Sequence, residues 1–468
     1  MDVGLVALGI GLRLALIPQT DFVESLSTRV EVSTPITSYK RMREGVYLLN
    51  NNIDPYDGGV FHQPPLLLLM FHSLGTDSPL VPLLFVAIDV LAAVLLMRIA
   101  RRHFTAAVTY TWRLSAGRVV QSQSLPQQHQ TSNKTVQNSI EHNETDSTIP
   151  RDALLSPTLI AVIYLLNPLS IAACLSRSSL AFNSLAVIAA IHAAVTCGNR
   201  VWSMFFLSLA TYLSIYPVML VLPCAIFVAP SNKQHLQSIF SCAVLFSVFL
   251  LAWLGLSNLL MGSWNFIEAT YGVIILVPDL TPNIGLSWYI FMEMFDQFRL
   301  FFLLVFQVFV LAFSVPLTLK FRQYPLFVVA LFLIITATFK SYPSIGDVAL
   351  YIPFVFMHHE LFKCILFLHL TPLNYTKHAI PSLVLTDMKK LYAIVQVGMY
   401  ASVLLPLFYN LWIYAGSGNA NFFYAITLVV GAGQVTLIGD FVAAMVLREW
   451  ERGGGWSQRK KRYELSLK

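Results

Sequence analysis

A succession of apolar runs dominates this chain and leaves it few folds to adopt: Val3–Pro18, Pro79–Met97, Thr158–Ala173, Leu180–Cys197, Val201–Ile215, Val218–Ala229, Leu236–Leu260, Phe298–Leu319, Leu326–Phe339, Val348–Leu368, Leu391–Leu411 and Phe423–Leu447. A helix needs roughly 20 mainly apolar residues to cross a bilayer. Irregular backbone in hydrocarbon would leave peptide groups unpaired at high cost. The runs therefore predict an all-α polytopic membrane protein of about twelve transmembrane helices, the shorter ones tilted or partly inserted. With 56% hydrophobic and 12% charged residues among 468, and a mean hydropathy of +0.66, a soluble domain is excluded. A β-barrel would show short alternating segments, and none occur. The net charge of +6 does not mark a nucleic-acid binder, because the cations gather at the ends of apolar runs, where they set topology.

The cysteines Cys174, Cys197, Cys224, Cys242 and Cys364 show no CxxC spacing, which implies neither a disulfide framework nor a zinc site. Val3–Pro18 lacks a basic leader, contains Arg13 and has no clear cleavage site, so a retained anchor helix is expected. Arg98, Arg101 and Arg102 close the second run and assign that end to the cytoplasm. Both termini then lie in the cytoplasm and the loop 19–63 lies in the lumen. The chain divides into N-terminal spans (1–112), a polar Ser/Gln/Asn/Thr-rich insert read as disordered and cytoplasmic (113–152), a helix bundle (153–447) with luminal loops 262–297, 340–347 and 412–424, and a basic cytoplasmic tail (448–468). The sequons at Asn133 and Asn143 share the arginine-flanked side and are expected to be unmodified.

Four polar, glycine- and proline-shaped patches fall on the luminal side in this scheme. The most distinctive is the hairpin Leu411–Tyr424. Gly416, Ser417 and Gly418 break the apolar sequence, Asn419 and Asn421 offer amide donors and acceptors, and Trp412, Tyr414, Phe422, Phe423 and Tyr424 form an aromatic collar. Two readings stand: a holder for a lipid-linked polar head group, or an interfacial turn with wet amides. The first loop carries an amphipathic segment, Ile36–Leu49, suited to the membrane surface, and a tight turn at Asp54-Pro-Tyr-Asp57. Asp279 and Asn283 sit in the second loop, and Ser341, Tyr342 and Asp347 in the third. On the opposite side, Lys233, Lys320 and Arg322 either hold an anionic phospholipid head group or serve only as topology determinants.

No complete active site is legible. The acids of the first loop, Asp21, Glu24, Glu31, Asp54 and Asp57, form no Asp-x-Asp pair, and turn-making explains Asp54 and Asp57. His358-His359-Glu360 lacks the i, i+4 spacing by which two histidines share a metal, so no metal is expected. Asp89, Asp347 and Asp440 lie in or beside apolar runs, where function or pairing within the bundle are both open. No Walker motif, nucleophile elbow or Cys/His dyad is present.

Val277-Pro-Asp-Leu-Thr-Pro-Asn-Ile-Gly-Leu-Ser-Trp-Tyr, Phe339-Lys-Ser-Tyr-Pro-Ser-Ile-Gly-Asp-Val-Ala-Leu-Tyr and Leu411-Trp-Ile-Tyr-Ala-Gly-Ser-Gly-Asn-Ala-Asn-Phe-Phe-Tyr closely resemble the phosphatidylinositol glycan class U subunit of the GPI transamidase. Arg29-Val-Glu-Val, Pro-Tyr-Asp-Gly-Gly-Val-Phe-His and Ser214-Ile-Tyr-Pro extend the resemblance over nearly the whole chain, apart from the polar insert and the last dozen or so residues. It implies an endoplasmic reticulum protein with a fold like the C-type glycosyltransferases (GT-C) and a degenerate active site, since Arg29-Val-Glu-Val-Ser stands where those enzymes carry an acidic pair. The implied role is non-catalytic: an accessory subunit, without cofactor, that helps position the GPI lipid while a cysteine protease-like partner subunit performs the transamidation. The resemblance makes Asn419 and Asn421, with Gly416, Ser417 and Gly418, the best candidates for holding GPI. Asp279, Asn283, Ser341, Tyr342 and Asp347 are weaker candidates, open also to partner contacts. The rival reading is a dolichol-phosphate-mannose-dependent mannosyltransferase. A transporter would show paired broken helices in two related halves, and no such repeat is visible.

Overall fold

The computed structural model describes residues 2–123, 155–229, 235–362 and 403–452, and among them all regular structure is helical. Four helices are long and apolar enough to cross a membrane: Leu80–Thr105, Leu236–Met261, Asp296–Lys320 and Ala420–Trp450. Two bent pairs raise the number to six if each counts as one span. These are Gly4–Leu16 with Thr20–Thr28, bent by 95°, and Pro157–Leu165 with Pro168–Leu175, bent by 53°. Among the described residues four to six candidate spans thus stand against a dozen apolar runs, two of which lie partly outside those residues, and the rest of the difference has a physical origin. Leu180–Val195, Pro325–Phe339 and Ile345–Met357 hold 16, 15 and 13 residues. At ~1.5 Å per residue these are about 20–24 Å long, shorter than a hydrocarbon core of ~30 Å. Their apolar composition serves burial in protein. Pro325–Phe339 is covered nearly all round, with Phe327, Val328, Val329, Ala330, Leu331 and Ile334 at 0% exposure, and it forms the axis of the main core.

Prolines set the breaks, because each lacks an N–H and crowds the preceding turn. Pro18 stands at the first bend, and Pro168 opens the second half of the other pair with Asn167 as its cap, Oδ1 accepting from Leu169 N at 3.0 Å. The helix that starts at Leu80 continues to Gln123, past the residue 112 boundary drawn from composition. The sequons, Lys233, Cys364 and most of the run Leu391–Leu411 lie outside the described residues.

Buried polar groups lock the helices in register. Arg13, fully buried, pairs with Asp89 at 2.9 Å and also donates to the Gly9 and Leu165 carbonyls and to Ser170 Oγ, while Tyr164 donates to the second Asp89 oxygen. Asp89 is thus a structural pair within the bundle. The molecule has two ends. Tyr39 donates to Thr76 O beside the start of the Leu80 helix, Ser179 N donates to Thr37 O at the start of Leu180–Val195, and Ile345 N donates to Glu31 O. These contacts gather the loops at one end. At the other end His103, Phe327 and His358 meet ring to ring and Arg448 pairs with Glu360 at 2.8 Å.

Candidate functional site

The hairpin Leu411–Tyr424 is built by the local chemistry of its glycines and asparagines. The helix Val403–Ile413 ends where Gly416 takes φ 62°, a conformation that costs glycine little. Ser417 N and Gly418 N then donate to the Leu411 carbonyl at 3.0 and 3.2 Å. Asn419 begins the next helix: its Oδ1 accepts from Asn421 N at 3.1 Å and Phe422 N at 3.3 Å, the geometry of an N-cap. Asn421 Oδ1 accepts from the Tyr289 hydroxyl. Both asparagines and Gly416 and Ser417 are exposed, so the outward chemistry of the turn is carried by the two Nδ2 amides and the Ser417 hydroxyl.

Beneath the turn lies an aromatic bed that joins three loops. Trp288, at 0% exposure, contacts Trp412 and Tyr424, with ring centroids 6.2 and 5.9 Å apart, and Tyr289 stacks on Tyr424 at 4.4 Å. Val30 of the first loop and Ile284 of the second complete the same cluster with Leu405 and Phe423. Three buried polar atoms in this neighbourhood have no hydrogen-bond partner among the described residues: Arg29 Nη1, Glu31 Oε1 and Trp288 Nε1. Arg29 and Glu31 both act electrostatically on Tyr409, which packs in the aromatic bed. Burial raises the Glu31 carboxyl above the usual carboxylate range, opposed by a backbone hydrogen bond and by the Arg29 charge. Unpaired buried groups are uncommon in folded proteins, and these three leave two donors and an acceptor open at this end of the molecule.

The remaining loop residues hold this end together. Asp279 pairs with Arg41 at 2.7 Å and accepts from Thr281 N at 2.9 Å. Burial would raise its carboxyl, but hydrogen bonds from Thr281 and Arg41 outweigh that and hold it below the ordinary value. Tyr342 donates to the Asp279 carbonyl at 2.8 Å. Asn283, fully buried, caps the tight turn by accepting from Gly285 N at 2.7 Å. Ser341 is a crossing point: Ser341 N donates to Tyr216 Oη, its Oγ donates to Ile274 O at 2.7 Å and accepts from Gln307 Nε2 at 2.9 Å, and its carbonyl accepts from Ser287 Oγ. Asp347 pairs with buried Lys340 at 2.6 Å and closes a reciprocal cap with Ser344 at the start of Ile345–Met357. Asp54 Oδ1 accepts from Tyr56 N at 2.9 Å, as a turn-making role requires. The segment Ile36–Leu49 overlaps a helix, Tyr39–Asn50, whose apolar face packs within the protein, on Phe61 and the Pro65–Leu74 helix.

The hairpin, Arg29, Glu31 and Asp279 are thus brought to one end, while Asn283, Ser341, Tyr342 and Asp347 are buried in its framework. Lys320 and Arg322 stand exposed at the opposite end. Sequence reasoning missed Trp288 and Arg29, whose place under the hairpin depends on helix packing. It also missed His103, which comes from a distant helix to within 4.8 Å of His358 and Glu360, counted between possible ligand atoms. Glu360 is already taken by Arg448 there.

Known proteins similar to this chain agree among themselves. The model of a family described as "GPI transamidase subunit PIG-U" matches residues 7–430. The human "GPI-anchor transamidase component PIGU" is 34% identical over 440 residues, 92% of this chain and 91% of its own length. "GPI transamidase component GAB1" of Saccharomyces cerevisiae is 31% identical over 452 residues, 96% of this chain and 95% of its own. The fission-yeast "GPI transamidase component GAB1 homolog" is 31% identical over 439 residues, 92% and 90% of the two chains. A match that runs through all four loops and the helices between them is one of whole architecture, and this chain belongs to the PIG-U family of GPI transamidase subunits.

Proposed function

We propose that this protein is a non-catalytic, multi-pass subunit of a GPI transamidase in the endoplasmic reticulum membrane. At its loop end it helps hold the GPI lipid for attachment to the carboxyl terminus of substrate proteins. The observation that carries the reading is the hairpin itself: two outward amides on a rigid aromatic bed, with an indole N–H and a guanidinium nitrogen left unpaired close by. A phosphate or sugar hydroxyl needs such donors. The non-catalytic reading rests on Glu31. It is the single acid of the Arg29-Val-Glu-Val-Ser segment, which stands where the glycosyltransferases that the chain resembles carry an acidic pair. Bond-making then falls to a cysteine protease-like partner subunit. The GT-C-like arrangement of about twelve helices, with both termini cytoplasmic, completes the proposal: the short buried helices count as spans only when stacked with neighbours.

Lipid chromatography of cells depleted of this protein tests the role. Complete GPI precursors should accumulate while substrate proteins stay uncleaved. Precursors lacking a mannose would instead identify a mannosyltransferase and overturn the proposal. Asn421→Ala should lower GPI attachment while co-purification of the complex is unchanged. Equal loss of both would make the asparagine structural.

A further inference from the structure

A cavity of about 650 Å³ lies away from the hairpin, between the helices Leu80–Thr105, Leu180–Val195 and Arg200–Leu213. Its walls are almost wholly apolar, and its volume falls in the range of ligand sites, about 300–1,000 Å³. Leu91 and Trp202 at its edge are 48% and 54% exposed, so the groove opens sideways to the surroundings of the helices.

The polar groups at this groove are unevenly placed. On the first helix Leu91 and Leu95 line the wall, and Arg98 continues the same stripe at i+7. Arg98 is exposed and its charge acts on His192, a lining residue whose Nε2 is buried without a partner. Asn199 also lines the groove, and Arg200 follows it at the first turn of its helix, exposed and donating to Ser241 Oγ at 3.2 Å. Among the described residues neither arginine has a carboxylate partner. The opposite end is closed, because Tyr212 donates or accepts at Ser257 Oγ and accepts from Leu66 N. From Trp202 to Leu213 the groove follows one helix for twelve residues, eleven helical steps. That is about 16 Å at ~1.5 Å per residue, close to half of a ~30 Å hydrocarbon core.

We propose that this groove holds one acyl chain of an anionic phospholipid, with the phosphate between Arg98, His192 and Arg200. An apolar trough one leaflet deep, with Tyr212 at its closed end and two arginines that have no carboxylate partner among the described residues beside its other end, has the chemistry of such a lipid. This site uses different helices from Lys320 and Arg322 and is independent of the hairpin.

Photolabelling tests it on the full chain, purified with its partner subunits and placed in phosphatidylcholine nanodiscs. The probes are phosphatidylserine, phosphatidylcholine and dolichyl phosphate, each with a diazirine in one apolar chain. Phosphatidylserine should label the peptides spanning residues 182–213 in preference to both others. Arg98→Gln with Arg200→Gln should reduce that labelling about tenfold. Leu95→Trp, which fills the groove, should abolish it. Equal labelling by phosphatidylserine and phosphatidylcholine, preference for dolichyl phosphate, or labelling unchanged by the arginine pair would overturn the proposal. Both arginines are exposed, so that pair decides the question even where Leu95→Trp disturbs folding.

Discussion

Asn419 divides its side chain between two tasks: Oδ1 caps the helix that follows, and Nδ2 faces outward. Substitutions can separate them. Asn419→Ala removes both, at about 1 kcal/mol for the lost cap. Asn419→Asp keeps a good cap while replacing the donor with a negative charge that repels phosphate. Its melting temperature and co-purification should match wild type, with GPI attachment lower by about tenfold, or ~1.4 kcal/mol of lost interaction. A melting temperature that falls in step with attachment would assign Asn419 to folding alone. This local chemistry was legible in the sequence, since glycine and asparagine between apolar runs have few other uses. What was not legible is that Asn421 Oδ1 receives the Tyr289 hydroxyl, because no local rule pairs residues so far apart in sequence.

At the level of elements, the loops form one body through cross-loop contacts. Arg41 reaches Asp279, Tyr342 reaches the Asp279 carbonyl, and a Cβ on Gly285 would stand 2.6 Å from the Pro343 ring. Only glycine permits that approach. The Asp279 carboxyl is held below its ordinary value in the fold, so its contribution to stability is complete above the unfolded value of ~3.9. It is lost as pH falls through the lower, folded value. Hydrogen exchange at residues 277–286 should therefore stay protected down to about pH 4 and loosen below it. Asp279→Asn should remove that acid-dependent step. Motif spelling revealed that these loops matter together. It also ranked Asn283, Ser341, Tyr342 and Asp347 as weaker ligand candidates; Ser341 and Tyr342 hydrogen-bond across to the second loop, while Asn283 and Asp347 cap turns within their own. A polar residue in an apolar setting reads the same way in sequence whether it meets a ligand or another loop.

Across the whole molecule, the apolar runs announced a helical membrane protein but not how many of them cross alone. Mean hydropathy does not distinguish a lipid-facing helix from one such as Pro325–Phe339, wrapped by its own protein. The Arg13–Asp89 pair ties the first helix to that assembly. Arg13→Ala would leave Asp89 buried and unpaired, and should cost about 3–5 kcal/mol of stability, read as a lower midpoint in detergent unfolding. Arg13→Met with Asp89→Leu should recover most of it. A single substitution that left the midpoint unchanged would show that the pair carries no such load. The break at Pro168 has its own outcome for biosynthesis. Because Leu169 N turns to Asn167, the Leu165 carbonyl is left for Arg13, so the guanidinium of the helix Asp2–Leu16 finds its last acceptors only after some 150 further residues have been translated. Until Asp89 follows, 76 residues later, the nascent chain must carry an unmatched cation at the membrane, and this helix cannot dock fully before Leu165 and Ser170 are in place.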